Sequence, residues 1–489
     1  MKTSTKIIAI SIIGIILTTL FTGCGKTVQK NDPETETLRI FFQDVTTPDK
    51  GLVEQTLSEL TKEKLGMKVE FVMFGPGEFS EKIPMLLASN EVMDIGFDAG
   101  WLGYVDRAKK DVYVDLTDPL KSTGKKLYDT IDPMLWKGAT VNGRIYGVPT
   151  YKEIAEQWAL FADEDVLVDN NIDPESINKL ADAEVILAAL KKDPEKAGFM
   201  IRANDLAHIS LNWQYYFDNV VDYFVINRNE GKTVLNYFFT DEYKEFVNLM
   251  RDWYNKGYIS KDVATRDNYS EYAKTDVYNE GVRFTSYSPL SEIHLSTSYG
   301  KKMVPLFVTP IVVTNNSTRG SMFGIYQKSK NQEKALEFLQ LWNTEPSVKN
   351  LITYGIEGKH YDMVNNRAVR VKNVEKLYLN QNWATGNVFI SHLQEDEPDD
   401  KYDRYKEFNS KAIEAVTLGF TPDTETINDR LTACSAVVKE YAPLLSCGVV
   451  NPDEYLPKFL TALENVGVEI IIEEIQKQFD EWIAVNSQN

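Results

Sequence analysis

The sequence predicts an α/β fold of two lobes, each a mostly parallel sheet flanked by helices, followed by a helical region at the carboxyl end. Between residues 38 and 97, three extended apolar segments alternate with two helical ones, and this β-α-β-α-β order is typical of a parallel, doubly wound sheet. From 151 to 284 the pattern becomes largely helical, which favours a second lobe. The chain has 489 residues, 43% hydrophobic and 26% charged, as expected of a folded protein of two or three domains.

The individual elements follow from hydrophobic periodicity and from capping residues. Gly66 is expected to end the first helix, and Pro84 to start or kink the second. The predicted elements of the first lobe are strands at 38–42, 67–73 and 93–97 and helices at 52–65 and 79–89. Further predicted elements are helices at 181–192 and 241–256, extended segments at 304–308 and 311–314, and helices that begin at Gln332 and Pro452. Thr240, Asn331 and Asn451 are the expected amino-terminal caps of the helices that begin at 241, 332 and 452.

Changes of pattern also divide the chain into segments. The expected segments are a signal peptide at 1–23, a tether at 24–37, a first lobe at 38–150 completed by about 285–345, a second lobe at 151–284 completed by about 346–410, and a C-terminal helical region at 411–489. No internal repeat or long low-complexity tract interrupts this order.

The first residues have the composition of an export signal. Lys2 and Lys6 precede an apolar run of 15 residues at 7–21, which is shorter than the roughly 20 residues that a spanning helix needs. The run ends at Cys24 in a pattern that resembles a bacterial lipobox. That resemblance implies cleavage before Cys24 and attachment of lipid, including palmitate, to this cysteine. We therefore expect a lipid-anchored protein on the extracellular face of the cell membrane; an uncleaved N-terminal helix with an incidental cysteine is the alternative.

The net charge of −19 argues against two classes of partner. Nucleic acids and anionic lipid surfaces require clustered Lys and Arg, and here acids outnumber these bases by 72 to 53. Four His and three Cys leave little material for zinc or for His- or Cys-based catalysis. The sequence also lacks a nucleophile elbow, a His-Glu-x-x-His motif, a phosphate-binding loop and a dinucleotide fingerprint. We expect no nucleic-acid partner, no cofactor, no metal and no catalytic residue.

Two cysteines remain besides Cys24. Cys434 and Cys447 are close enough in sequence for one disulfide, but Cys434 lies in an apolar helical pattern. This position favours a buried free thiol over a disulfide.

A family resemblance rests on several stretches of sequence. These are the lipobox at Cys24, residues 81–95, the run Asn-Gly-Arg-Ile-Tyr-Gly-Val-Pro at 142–149, the run Tyr-Gly-Ile-Glu-Gly-Lys-His-Tyr at 354–361, and residues 418–420 and 455–459. They resemble the family 1 extracellular solute-binding lipoproteins of Gram-positive carbohydrate ABC transporters, in the subgroup with an extra C-terminal domain. The resemblance implies a type II periplasmic-binding-protein-like fold, in which two lobes joined by crossing strands close on a small ligand.

Candidate ligand residues are those whose chemistry suits a sugar and whose segments should reach the cleft. Sugars present hydroxyl groups, which need paired donors and acceptors, and flat C–H faces, which stack on aromatic rings. Asp98 and Trp101 follow the third strand, at the edge where parallel sheets bind ligands. The predicted ligand-binding residues are Asp98, Trp101, Tyr151, Glu153, Trp213, Tyr287, Arg319 and Trp383. Packing in the core is the alternative for each of them, and Glu357 and His360 are expected to hold a turn.

Together, these observations predict a monomeric substrate-binding lipoprotein of an ABC importer. It would capture an oligosaccharide or related carbohydrate between the lobes and deliver it to the membrane permease subunits, with the ATPase on a separate chain. A receptor for a peptide or other small solute on the same scaffold is the first alternative. A secreted carbohydrate-active enzyme is the second.

Overall fold

The computed structural model describes residues 36–486, apart from residues 45, 90, 193–197, 204–205, 266–280 and 373–376. The predicted signal peptide, Cys24 and most of the tether therefore lie outside the described residues. Across 36–486, outside those gaps, no helix has both the length and the apolar character needed to cross a membrane.

Strands and helices alternate in the first part of the chain, and helices dominate its end. The strands are β1 (Thr37–Gln43), β2 (Lys68–Phe74), β3 (Ile95–Asp98), β4 (Thr140–Val141), β5 (Arg144–Ile145), β6 (Val148–Pro149), β7 (Gln157–Asp163), β8 (Phe217–Val221), β9 (Phe224–Asn227), β10 (Val234–Asn236), β11 (Arg283–Tyr287), β12 (Met303–Phe307), β13 (Val312–Val313), β14 (Met322–Ile325), β15 (Tyr361–Met363), β16 (Ala368–Val371), β17 (Leu393–Gln394) and β18 (Ile413–Glu414). The helices are α1 (Lys50–Leu65), α2 (Pro76–Ala88), α3 (Tyr104–Lys109), α4 (Lys125–Thr130), α5 (Pro133–Ala139), α6 (Glu164–Asp169), α7 (Glu184–Leu190), α8 (Ser210–Tyr216), α9 (Asp241–Lys256), α10 (Ser291–Tyr299), α11 (Asn315–Thr318), α12 (Gln332–Thr344), α13 (Pro346–Tyr354), α14 (Lys401–Ser410), α15 (Asn428–Ser446), α16 (Pro452–Asn465) and α17 (Val468–Asn486).

The first lobe is built on a five-stranded sheet with the order β2-β1-β3-β14-β6. β1 pairs in parallel with β2 and β3, which confirms the predicted β-α-β-α-β unit. β14 arrives from far along the chain and pairs antiparallel with both β3 and β6. Its insertion places the ends of β3 and β6 beside the segment that precedes β14.

The capping residues behave largely as their chemistry predicts. Gly66 ends α1 in the left-handed conformation, with φ of 71°, which only glycine adopts without strain. The side chains of Thr240 and Asn451 cap α9 and α16 by accepting backbone N–H bonds at 3.2 Å. Asn331 precedes α12, but its side chain makes no capping hydrogen bond. Pro84 lies inside α2 and not at its start.

The second lobe differs from its prediction. β7 pairs antiparallel with β11 on one side and β12 on the other, and β8, β9 and β10 form an antiparallel meander. The connection from β8 to β9 is a tight turn at Asp222, with φ of 47°, and a parallel pair needs a crossover of a dozen residues or more. The expectation of a mostly parallel sheet in this lobe is therefore wrong for the part of it that the structure describes.

Segments that cross between the lobes are hydrogen-bonded to one another. The chain passes from β6 to β7 through Glu156, which exchanges backbone hydrogen bonds with Val312 at 2.8 and 2.9 Å. β18 then pairs in parallel with β13, and Ile413 N donates to Ile311 O at 2.8 Å. The crossing segments thus form a small hydrogen-bonded hinge between the two lobes.

The C-terminal helices share the hydrophobic core of the second lobe. Phe459 of α16 is fully buried, and its ring centroid lies 4.9 Å from that of Phe238. Val468, Ile471, Ile475 and Phe479 are the buried residues of α17 and lie on one face of this helix. Cys434 and Cys447 are buried free thiols, which confirms the favoured interpretation of the pair.

Candidate ligand-binding site

Asp98 ends β3, at the carboxyl edge of the first-lobe sheet, and is fully buried. Its Oδ1 accepts a hydrogen bond from the amide of Ala99 at 2.7 Å, and its Oδ2 accepts from Arg107 Nε and from Tyr113 OH, both at 2.7 Å. Burial by itself would lower the pKa of Arg107, but the hydrogen bonds and charge of Asp98 hold that pKa above its usual value. A carboxylate that is fully buried and engaged in this way is not open to a ligand. The geometry therefore opposes the predicted direct contact and makes Asp98 a support of the following turn.

That turn presents Trp101, whose side chain is 58% exposed. The indole Nε1 donates to the carbonyl of Gly320 at 3.0 Å, and the amide of Gly100 donates to the carbonyl of Arg319 at 2.8 Å. The turn ends at Gly103, whose φ of 95° is a conformation that side chains strongly disfavour. Trp101 is thus held at its polar edge while its ring remains open to solvent.

Arg319 contributes to this arrangement from inside the protein. Its side chain is buried and donates to the carbonyls of Gly138 and Thr140, at 2.6 and 3.0 Å, and to Thr421 Oγ1 at 2.9 Å. Burial lowers the pKa of Arg319 to about 10. The guanidinium is therefore not exposed beside Trp101. Its effect on the site passes through its own carbonyl, which holds the Trp101 turn.

Trp383 reaches the same edge of the sheet from a distant part of the chain. Its side chain is 41% exposed, and its ring centroid lies 6.5 Å from that of the buried Phe97. The Trp101 ring lies 6.4 Å from the same Phe97 ring. Lys152 Nζ is 6.0 Å from the Trp383 ring. The structure therefore brings two predicted residues together around Phe97, where half-exposed indoles offer flat apolar surfaces.

Tyr151 and Glu153 lie on the crossing segment beside the Trp383 turn. The amide of Tyr151 donates to the carbonyl of Gly386 at 3.2 Å, and its ring packs edge-on against Phe389 at 4.7 Å. Burial raises the pKa of Tyr151. Glu153 Oε1 lies 3.4 Å from Lys152 Nζ, so this carboxylate is paired with a neighbouring cation. Both residues are half-buried and close in sequence to the cation that approaches Trp383.

Trp213 and Tyr287 lie in other surroundings. Tyr287 falls in the segment expected to complete the first lobe, but it ends β11, which pairs with β7 of the second lobe. Tyr287 packs against Phe307 and Phe408, at centroid distances of 4.9 and 5.8 Å, and burial raises the pKa of its hydroxyl. Trp213 Nε1 donates to Ser210 Oγ at 3.2 Å, and its ring lines a cavity of about 390 Å³ within the second lobe. Neither residue contacts Trp101 or Trp383 in this conformation.

The sequence did not single out two titratable residues with unusual surroundings, the half-buried Glu156 and the fully buried Lys349. Glu156, in the hinge, accepts hydrogen bonds at Oε1 from Gln214 Nε2 at 3.2 Å and from Thr314 Oγ1 at 3.4 Å. Burial raises the pKa of Glu156 to about 7. Lys349, in α13, is fully buried beneath the turn that carries Trp383. In sequence both are ordinary charged residues, and only the tertiary contacts make them distinctive.

Glu357 and His360 were expected to be structural. His360 is fully buried: its Nδ1 accepts a hydrogen bond from the amide of Ile356 at 2.8 Å, and its Nε2 lies 3.1 Å from Asp49 Oδ2. This geometry confirms that His360 holds the turn. Nowhere in the described part of the chain do three or more His, Cys, Asp or Glu side chains come together as a metal site would require.

Known proteins resemble this chain along nearly all of its length. Residues 43–349 match the family model described as bacterial extracellular solute-binding protein, and residues 416–484 match a domain of unknown function (DUF3502). A carbohydrate ABC transporter substrate-binding protein from Streptococcus pneumoniae serotype 4 is 29% identical over 433 residues, 87% of each chain.

Solved structures agree with these matches. The N-glycan transport solute-binding protein NgtS from Streptococcus pneumoniae has a TM-score of 0.79 to this chain at 27% identity, covering 92% of this chain and 99% of that one. A structure of NgtS in complex with Man5GlcNAc has a TM-score of 0.65 at 28% identity, with the same coverage. These likenesses confirm the two-lobed α/β fold and the extra C-terminal domain. Because the first family model alone spans more than half of the chain, this protein belongs to the bacterial extracellular solute-binding proteins.

Proposed function

We propose that this chain is the substrate-binding component of an ABC importer and captures an oligosaccharide between its lobes. The observation that carries the proposal is the placement of Trp101 and Trp383 around Phe97, at the carboxyl end of β3. Ligands of such sheets bind at that edge, and exposed indoles suit the C–H faces of sugar rings. The curated pneumococcal relative and the NgtS complex support a carbohydrate, and Man5GlcNAc is therefore the first ligand to test.

Binding would act by shifting an equilibrium between open and closed arrangements of the lobes. The hydrogen bonds between Glu156 and Val312 hold the crossing segments together, and the proposal expects these segments to bend while the bonds persist. A ligand that contacts both lobes favours the closed form by its difference in affinity for the two forms. The closed form would then be the one that docks on the permease subunits.

We also propose that the chain performs no chemistry on its ligand. A glycosidase uses two carboxyl groups that flank the scissile bond. At this edge Asp98 is buried in a pair with Arg107, and Glu153 is paired with Lys152. Both carboxylates are thus engaged by cations, and the proposal expects capture without cleavage.

The proposal extends to the amino-terminal residues that lie outside the described residues. The charged start, the apolar run at 7–21 and Cys24 support export and lipidation, which would hold a monomeric receptor at the extracellular face of the membrane. Mass spectrometry of the protein from membranes should find an acylated N-terminal Cys24. Cys24→Ser should lose both the lipid and the cleavage, because the lipid is attached to this cysteine before the signal is removed. An unprocessed wild-type N-terminus would refute this part of the proposal.

A ligand panel tests the proposed function. The chain from residue 25 onward is titrated with Man5GlcNAc, with other oligosaccharides and with oligopeptides of similar length, while thermal unfolding is followed. A specific ligand at 100 times its Kd should stabilise the protein by about 2.7 kcal/mol. Stabilisation by an oligosaccharide that is recovered intact supports the proposal. Stabilisation by peptides alone favours the peptide receptor, and cleavage of the sugar favours the enzyme.

A further inference from the structure

Lys349 is a buried amino group in contact with the turn that presents Trp383. Its Nζ lies within hydrogen-bond distance of Asn382 Oδ1, at 2.6 Å, of Thr385 Oγ1, at 3.0 Å, and of the carbonyl oxygen of Thr385. Thr353 Oγ1, one turn along the same helix, is also 3.0 Å away, so the three N–H groups of the ammonium are shared among four oxygen atoms. Lys349, Thr353 and Thr385 are all fully buried. Most of the partners of this lysine therefore belong to the turn from 382 to 385.

No carboxylate in the described part of the chain forms an ion pair with Lys349. Burial lowers the pKa of Lys349 well below its usual value. Burying a lysine without a counter-ion is costly unless hydrogen bonds replace the lost water. Here amide, hydroxyl and carbonyl oxygens supply those bonds. A methionine would fill similar space without the cost of burying an amino group, so packing alone does not account for the lysine.

The turn that Lys349 holds carries a half-exposed indole. Trp383 is 41% exposed, whereas its neighbours Ala384 and Thr385 are buried. Thr385 Oγ1 donates back to the carbonyl of Gln381 at 3.1 Å, which closes the turn on itself. Lys349 thus ties the two ends of this turn to α13, and α13 packs against α1 and α12 of the first lobe. This packing differs from the expectation that residues 346–410 complete the second lobe. The ring of Trp383 is consequently fixed to the same lobe as Trp101.

We propose that Lys349 is a positioning residue of the ligand site, which holds the turn from Asn382 to Thr385 so that the Trp383 indole is pre-organised beside Phe97. A ring fixed before binding loses less conformational freedom when the ligand arrives, and affinity rises accordingly. The part of the inference that concerns affinity rests on the proposed function. The part that concerns the placement of Trp383 does not, and it can be measured without a ligand.

The ligand-free test follows Trp383 by fluorine NMR. The protein has eight tryptophans, and 5-fluorotryptophan labelling gives each one a resonance; Trp383→Phe and Trp253→Phe assign two of them. Lys349→Met should shift or broaden the Trp383 resonance and leave that of Trp253, in the second-lobe core, unchanged. Asn382→Ala removes the bond from the turn side and serves if the buried substitution prevents folding. An unchanged Trp383 resonance in a folded variant overturns the proposal.

The affinity test is a double-mutant cycle with Man5GlcNAc. Lys349→Met should weaken binding about tenfold, or about 1.4 kcal/mol, in the native background and have no further effect in Trp383→Ala. Equal effects in both backgrounds would show that Lys349 does not act through Trp383. Lys126→Met is the matched control, because Lys126 is an exposed lysine of the same lobe, 2.9 Å from Glu345. If the native protein binds no oligosaccharide, the proposed function fails, and the NMR result alone decides the role of Lys349.

Discussion

Asp98 Oδ2 accepts a hydrogen bond from Arg107 Nε at 2.7 Å, and the same guanidinium donates to the carbonyl of Leu102 at 2.6 Å. This ion pair, in which Asp98 is fully buried and Arg107 is half-buried, is therefore joined to the turn that carries Trp101. A charge pair of this kind supports a neighbouring surface without itself touching what that surface binds. The relationship explains how a fully buried aspartate can matter to a ligand site.

Removing this carboxylate should cost stability. Asp98→Ala leaves the half-buried Arg107 guanidinium and the buried Tyr113 hydroxyl without their acceptor, which should cost at least about 2 kcal/mol. Urea unfolding should show this loss, whereas Glu70→Ala, which breaks the exposed pair with Arg39 at 3.1 Å, should cost less than about 1 kcal/mol. An Asp98→Ala variant of native stability that has lost ligand affinity would instead indicate direct contact with the ligand.

Removing either exposed indole should lower the affinity for the ligand and leave stability nearly unchanged. Trp101→Ala and Trp383→Ala should each weaken Man5GlcNAc binding about tenfold or more, because a stacking surface is lost, while stability changes by less than about 1 kcal/mol. Calorimetric titration and thermal unfolding measure the two effects. Phe239→Ala, at an exposed aromatic on the second lobe, is the control and should bind normally. Native affinity in both tryptophan variants would place the ligand elsewhere.

Glu156 should make stability depend on pH in an unusual direction. Burial raises its pKa from 4.5 to about 7 in the folded protein, so between these values the folded state binds more protons than the unfolded state. Its contribution to stability is full below pH 4.5 and is lost as pH rises through 7, by up to about 3 kcal/mol. Glu156→Gln should remove this loss, so the variant should have a higher free energy of unfolding than the native protein at pH 8. If the free energies of unfolding of the native protein and of Glu156→Gln differ by the same amount at every pH, the raised pKa of Glu156 is contradicted.

The C-terminal helices should be required for the second lobe to fold. Phe459 is fully buried, 4.9 Å from Phe238 and stacked on Tyr441 at 5.6 Å. Phe459→Ala should therefore cost about 3–5 kcal/mol, because it leaves a cavity in a shared core. A single unfolding transition at lower denaturant is the expected result. The contradicting result is a variant with two transitions, in which the C-terminal region unfolds early and the rest of the protein unfolds as in the native chain. That result would show that the C-terminal region is an independent domain.

Local features of the fold were readable from the sequence. β1, β2 and β3 follow from apolar runs, the end of α1 follows from Gly66, and the start of α9 follows from Thr240, because these effects act within a few residues. The antiparallel pairing of β7 was not predicted, since its partners β11 and β12 lie more than a hundred residues away. Register over such a distance depends on the packing of the whole lobe.

The candidate site was predictable to a similar degree. Residue type and loop position identified Trp101 and Trp383, and the structure shows that both flank Phe97. The same reasoning identified Asp98 and Arg319, whose chemistry suits a sugar equally well but whose side chains point into internal hydrogen-bond networks. Lys349 was missed because a lysine in a helix is usually solvated, and its burial arises only when the distant turn at 382–385 covers it.

Trp101 and Trp383 together form the proposed surface on which an oligosaccharide stacks. The most direct test is calorimetric titration of Man5GlcNAc into the native protein and into the Trp101→Ala/Trp383→Ala double variant. The account predicts saturable binding of the intact sugar by the native protein and a loss of at least about a hundredfold in the folded double variant, roughly 2.7 kcal/mol. Equal affinity of the two proteins for this sugar, or binding of peptides with no binding of any oligosaccharide, would contradict the account.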